Sequence, residues 1–221
     1  MQVDEPLSMS RKERERLSRR TAMLEAAQSV FAERGFGQST LDEIASRAEF
    51  GKGTIYNYFP GGKEEMLFAL LDQLYSGLIE LIESHFGETK IGVPFRDQVR
   101  DFLTRTFCFF EERDDLFLIA IKEAHRHLFG DDPEKAAYFS HQRERLVAAI
   151  SRPLESAMSR GEIKTMPSNA VAHTLLGNIN GCYTHVCLCN RYGNNEQELP
   201  GGAEENAEFI TTMLFDGLLT K

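Results

Sequence analysis

Thr54, Tyr56 and Asn57 stand within four residues of one another, with Lys52 and Gly53 just before them. A hydroxyl, a phenol and an amide can hydrogen-bond base edges or phosphate oxygens, and Asn can pair with adenine through two bonds at once. Lys52 adds positive charge. Gly53, with no side chain, lets a backbone approach another surface, although glycine costs about 1 kcal/mol in a helix interior. Thr40 and Lys63 flank the group, one able to donate to a phosphate and the other to neutralise it. Tyr58 falls on the packing side of the same segment and is also counted among these candidates. The chemistry offered is recognition, not bond making.

Catalytic and metal-binding readings find little support. Cys187 and Cys189 flank Leu188, and two further ligands at zinc-site spacing are lacking. His125 and His127 are two apart on a helix and so point different ways, and no phosphate-cradling glycine loop or nucleophile elbow is present. No enzyme, no metal and no cofactor are expected. Redox sensing by Cys182, Cys187 or Cys189 stays open, because it depends on local thiol acidity.

The recognition residues need a scaffold, and the pattern around them supplies one. Leu41, Ile44, Ala45 and Ala48 follow the spacing of one helical face, Glu49 to Gly51 interrupt it, and Lys52 to Phe59 reads as a second short helix. Helix, tight turn, helix is the shape that brings a helix into the major groove of DNA. A longer helix over residues 11–34 precedes the pair, with Met23, Leu24, Ala27, Val30 and Phe31 on its apolar side. Thr40 with Glu43 makes a capping box for the second helix. Ile44, Ala45, Phe50 and Ile55 hold the helices together.

The rest also reads as helix, giving an all-α chain of about nine helices: an N-terminal three-helix helix-turn-helix domain (1–63), a connecting helix (63–86) and a C-terminal helical bundle (87–221). Residues 87–94 and 194–206 read as loops, and Pro153 should kink or split the seventh helix. Of the chain's net charge of −9, residues 1–63 carry 10 basic against 9 acidic side chains and residues 64–221 carry 15 against 25. The acidic balance therefore lies away from the recognition segment. Six basic residues crowd residues 10–20. No apolar run approaches a membrane span and no apolar leader follows the N-terminal charges, so a cytoplasmic protein without membrane contact is expected.

The blocks AAQSVFAERGFGQSTLDEIASRA, GKGTIYNYF and GGKEEML resemble, in order and spacing, the DNA-binding domain of tetracycline-repressor-like (TetR family) transcriptional regulators. Two residues depart from the pattern: Glu49 stands where helix-turn-helix proteins usually have glycine, and Gly51 where the family often has a serine or threonine cap. The resemblance implies a double-stranded DNA operator as partner, a homodimer formed by the last two helices, and a small-molecule effector that changes the spacing of the recognition helices. The corresponding interface residues here are Gly177 and Gly181 on helix 8 and Phe209, Ile210, Met213 and Leu214 on helix 9. An effector pocket falls among the phenylalanine-rich helices, with Phe102, Phe107, Phe117 and Ile121 as apolar candidates and His125, Asn178 and Tyr183 as polar ones. An apolar or aromatic ligand and a repressor role are expected. Two rival readings are an activator of the same fold and a helical adaptor without DNA affinity, the latter favoured by Glu49 and the acidic balance.

Overall fold

A computed structural model describes residues 9–87, 92–192 and 202–218. Among the described residues there are nine helices and no strand: α1 (Arg11–Arg34), α2 (Leu41–Arg47), α3 (Lys52–Tyr58), α4 (Gly62–Gly87), α5 (Phe95–Glu111), α6 (Asp114–Leu128), α7 (Pro133–Ser159), α8 (Ser168–Tyr192) and α9 (Ala203–Phe215). The loops read at 87–94 and 194–206 fall largely outside the described residues, and α9 begins at Ala203, within the second of them. The chain divides into two compact units, Met1–Asp72 and Gln73–Lys221, with the division inside α4.

In the first unit, α1 starts on a capping box between Ser10 and Glu13 and stops at Gly35, whose φ of 76° suits glycine. Met23, Leu24, Ala27, Val30 and Phe31 recur at helical spacing and are buried, as are Ile44 of α2, Ile55 of α3 and Phe59. Arg47 grips Glu33 with two guanidinium nitrogens and Ser29 with one, and Arg34 reaches Glu43 at 2.7 Å. These pairs are solvent-exposed, so their main effect is to fix how α2 lies on α1, not to add much stability.

In the second unit, α5 packs on α9, α7 on α8, and α6 on α7. The buried face of α5 runs Phe95, Val99, Phe102, Leu103, Phe107, Phe110, an unbroken helical stripe. Arg96 ties α5 to α9 through Glu208 (3.0 Å) and Asp216 (3.2 Å). Of the kink or split expected at Pro153, the split does not occur: α7 runs continuously from Pro133 to Ser159. Ala149, Ile150, Leu154 and Ala157, on both sides of the proline, are buried, and this packing outweighs the hydrogen bond that proline cannot make.

Candidate nucleic-acid interface and effector cavity

Seven residues form α3, and only Ile55 among them is buried. Lys52, Gly53, Tyr56 and Asn57 are exposed, while Thr54 and Tyr58 are half-buried. At about 100° per residue the four exposed positions share an arc of about 140°, one outward face. The sequence candidates therefore separate: four occupy that face, and Thr54 and Tyr58 lie on its flank. Tyr58 packs under α1, with the Arg16 guanidinium 6.0 Å from its ring centre. Arg20 lies 4.9 Å over Phe59 in the same way. The basic start of α1 is thus partly engaged with the end of α3, a connection that sequence spacing did not reveal.

Gly53 is not required by the protein's own packing. A Cβ built there meets nothing within 4 Å. An alanine would fit and would strengthen the helix, so the only benefit visible for glycine lies outside the chain, where another backbone can come close.

The turn before α3 is a Schellman motif. Glu49 takes φ of 58°, the one positive value outside glycine among the described residues. Its N–H donates to Ser46 O at 3.3 Å, and the Phe50 N–H donates to Ala45 O at 3.1 Å. Those are the two backbone bonds that satisfy the last carbonyls of α2, and they place Glu49 where glycine is the usual occupant. The departure noted in the sequence is therefore a backbone position under strain, held between the half-buried Ala48 and Phe50.

Thr40 and Lys63 are occupied within the chain. The Thr40 hydroxyl donates to Glu43 Oε2 at 3.0 Å and accepts from the Glu43 N–H at 3.3 Å, closing the capping box at the start of α2. The Thr40 backbone N–H, which donates to the same Oε2 at 2.9 Å, and after it the Thr40 hydroxyl hold the Glu43 carboxyl below its usual range. Lys63 corrects an expectation: its Nζ, instead of standing free for phosphate, donates to the carbonyls of Phe36 (2.9 Å) and Ser39 (2.8 Å), with Gly37 O at 3.5 Å. It also lies 4.7 Å over the Phe36 ring. Its donors tie the start of α4 to the turn before α2. Lys52 is paired with Asp42 at 2.9 Å, which raises its affinity for its proton and joins α3 to α2, yet it stays half-exposed.

The second unit contains a cavity of about 330 Å³ between α4, α5, α6, α7 and α8. Its depth is apolar, with Phe102, Phe110, Phe117, Ile150 and Ile179 buried along it. Of the candidates named for a ligand, Phe102, Phe117, Ile121 and His125 line it. Phe107, Asn178 and Tyr183 do not. Phe107 faces the core beside Tyr183, whose ring backs the cavity wall at 4.8 Å from Phe117 and 5.2 Å from Phe110. Asn178 donates to Thr174 O one turn back along α8. Residues missed in the sequence are Tyr75, Arg143, His173 and Asn180. The signal was present: Phe139, Arg143, Leu146 and Ile150 fall on one face of α7 at spacings of four, three and four.

Gly177, expected at a dimer interface, lines this cavity instead of serving only an outer surface. Ile210 is 2% exposed and faces its own chain's core, so it offers nothing to a second subunit. Phe209, Met213 and Leu214 are each about 40% exposed, and Gly181 is open to solvent. Two of the thiols, Cys182 and Cys187, are poorly placed for redox chemistry. Burial pushes the Cys187 thiol up to about 11 and raises that of Cys182, which keeps both protonated and weakly reactive. Among the described residues no group of three or more potential ligands could hold a metal ion.

Comparison with known proteins agrees with this geometry. The family profile for bacterial regulatory proteins of the tetR family matches residues 23–70, the span from mid-α1 into α4. The HTH-type transcriptional regulator YhgD of Bacillus subtilis is 24% identical over 72% of this chain and 80% of its own. The fatty acid metabolism regulator protein of Bacillus subtilis is 38% identical over 66 residues, 30% of this chain and 34% of that protein, so the match spans about a third of its length. Among solved structures, the transcriptional regulator FadR from Bacillus subtilis, in complex with stearoyl-CoA, superposes with a TM-score of 0.72 at 20% identity, covering 90% of this chain and 99% of its own. That likeness establishes the fold. No helix among the described residues is long and apolar enough to cross a membrane.

Proposed function

Because the chain belongs to the TetR family of DNA-binding transcriptional regulators and is not an enzyme, we propose that it acts as a homodimeric repressor released from its operator by a small, largely apolar ligand. The observation that carries the DNA half is the outward face of α3, where Lys52, Gly53, Tyr56 and Asn57 stand together with a glycine that the chain itself does not need. Tyr56 and Asn57 would meet base edges or phosphates, Lys52 would neutralise phosphate once it exchanges Asp42 for DNA, and Gly53 would admit the sugar–phosphate backbone. Thr54 and Tyr58 would contribute from the flank, and Thr40 from the start of α2. A helical adaptor without DNA affinity no longer fits, since the family is one of DNA-binding regulators.

A single α3 reads only a few base pairs, so two are needed, and half-sites about 34–36 Å apart would suit a two-fold pair in successive major grooves. The exposed apolar side chains of α9 (Phe209, Met213 and Leu214), with the open Gly181 of α8, are the surface that supports pairing. The cavity supports the effector half, as does the ligand-bound state of FadR, a relative in fold. Leu74, Tyr75, Leu78 and Ile82 of the cavity wall belong to α4, the helix that starts directly after α3. A ligand that favours one position of this helix shifts the population away from the operator-binding state, provided that it binds the two states unequally.

The test is a binding titration of the full chain on fragments from upstream of its own gene, with the oligomeric state followed by sedimentation. Dimers binding a two-fold site, with reporter expression rising when the gene is deleted, support the proposal. Expression that falls on deletion would favour an activator, and binding as a monomer would overturn the dimer.

A further inference from the structure

The cavity of the second unit has an unusual charge balance for this protein. The chain carries 34 acidic residues, yet no carboxylate is among the side chains that line the cavity. The ionisable groups there are Arg143, His125, His173 and Tyr75. Arg143, His125 and His173 are exposed and sit at the rim, while the buried phenylalanines and isoleucines fill the depth. Among the described residues the Arg143 guanidinium makes no hydrogen bond or ion pair, although most arginines of the chain are paired. His125 Nδ1 lies 2.8 Å from Ile121 O and so carries the proton in that bond, leaving Nε2 directed elsewhere. The Tyr75 hydroxyl likewise has no hydrogen-bond partner among the described residues. An apolar bore with an unspent cation and no carboxylate at its mouth suits a molecule that is apolar along its length and negative at one end.

We propose that the cavity takes an amphipathic monocarboxylate, its hydrocarbon body lying between Phe102, Phe117 and Ile150 and its carboxylate on the Arg143 guanidinium at the mouth. A guanidinium offers a planar fork that matches a carboxylate with two parallel N–H···O bonds. The inference rests on the effector reading above for its place in regulation, but binding itself is independent of DNA.

The experiment is calorimetric titration of the full chain with decanoate, decanol, decylamine and decanoyl-CoA. Decanoate binds about tenfold or more tighter than decanol, the gain expected of a charged hydrogen bond, and decylamine does not bind. Between octanoate and decanoate the affinity rises about fourfold for each methylene added. Arg143→Gln, a change at an exposed position that leaves the core intact, removes the preference for decanoate over decanol but keeps decanol binding. Ala124→Trp, at a half-buried wall position, abolishes both. Equal binding of decanol and decanoate, an unchanged preference in Arg143→Gln, binding of decanoyl-CoA in place of decanoate, or no binding by any of the four overturns the proposal. Decanoate that binds as described but leaves DNA affinity unchanged upholds this inference and counts against the effector reading alone.

Discussion

Replacing Gly53 by alanine should make the protein more stable and a poorer DNA binder. The stability side follows from α3 itself. Glycine in a helix is less favourable than alanine by about 0.5–1 kcal/mol, and the added methyl meets no atom of the chain within 4 Å. For a protein of this size that gain raises the melting midpoint by roughly 1–4 °C. The binding side follows from position. Gly53 shares the outward face of α3 with Lys52, Tyr56 and Asn57. If the backbone there lies against DNA, a methyl group pushes the helix outward and lengthens the bonds of its neighbours together. Weakening even one or two such bonds by about 1.4 kcal/mol in sum lowers affinity about tenfold, and a dimer would feel the change twice. Thermal unfolding of the free protein and fluorescence anisotropy on a labelled operator fragment measure the two halves. A Gly53→Ala protein that is stabilised yet binds DNA as tightly as before would refute the close-approach argument. A destabilised one would refute the reading of the helix.

The other predictions concern neighbouring parts of the fold. Glu49→Gly removes a side chain from a residue at positive φ, which relieves about 1–2 kcal/mol of strain, partly offset by the greater freedom of glycine in the unfolded chain. The net should be a gain of about 0.5–1 kcal/mol in chemical denaturation, with tighter DNA binding at low salt because a negative charge leaves the turn. Lys63→Met strands the carbonyls of Phe36 and Ser39 and should cost about 1–3 kcal/mol of stability, a loss that calorimetry of the free protein will show without any DNA present. Leu214→Glu places a charge on the exposed apolar face of α9 and should raise the dimer dissociation constant at least about tenfold in sedimentation, with the monomer's fold intact. Cys187 should react with iodoacetamide at pH 8 far more slowly than a free thiol, because burial raises its pKa to about 11.

Much of the fold could be read from residue spacing. The apolar face Met23–Phe31, the capping box of Thr40 and Glu43, and the stripe of α5 each announce their helix by local rules, and local rules govern an all-α chain. Pro153 leaves α7 continuous, an outcome that propensity alone does not decide, because it says nothing about the packing on both sides of the proline. The outward face of α3 was legible to within its flanks, since helical periodicity alone separates Ile55 from Tyr56 and Asn57. Lys63 was not legible, because nothing in the sequence shows that the carbonyls of Phe36 and Ser39, more than twenty residues earlier, would converge on its amine. The cavity was half legible. Clustered phenylalanines mark an apolar interior, but which of them face a void depends on how α4 to α8 pack. Arg143 reads as an ordinary surface charge until the cavity beside it is seen.

The central claim is that the outward face of α3 meets the phosphates and bases of DNA. Its most direct test is the salt dependence of binding to an upstream fragment, measured for the native chain and for Asn57→Ala. Each phosphate neutralised contributes about −0.9 to the slope of log K against log salt. The account predicts a slope steeper than about −4 for the native dimer. It also predicts that Asn57→Ala lowers affinity for the operator about fivefold or more while leaving that slope and the binding to unrelated DNA nearly unchanged, as losing a base contact should. A flat salt response, or no binding to any upstream fragment at low salt, would contradict it.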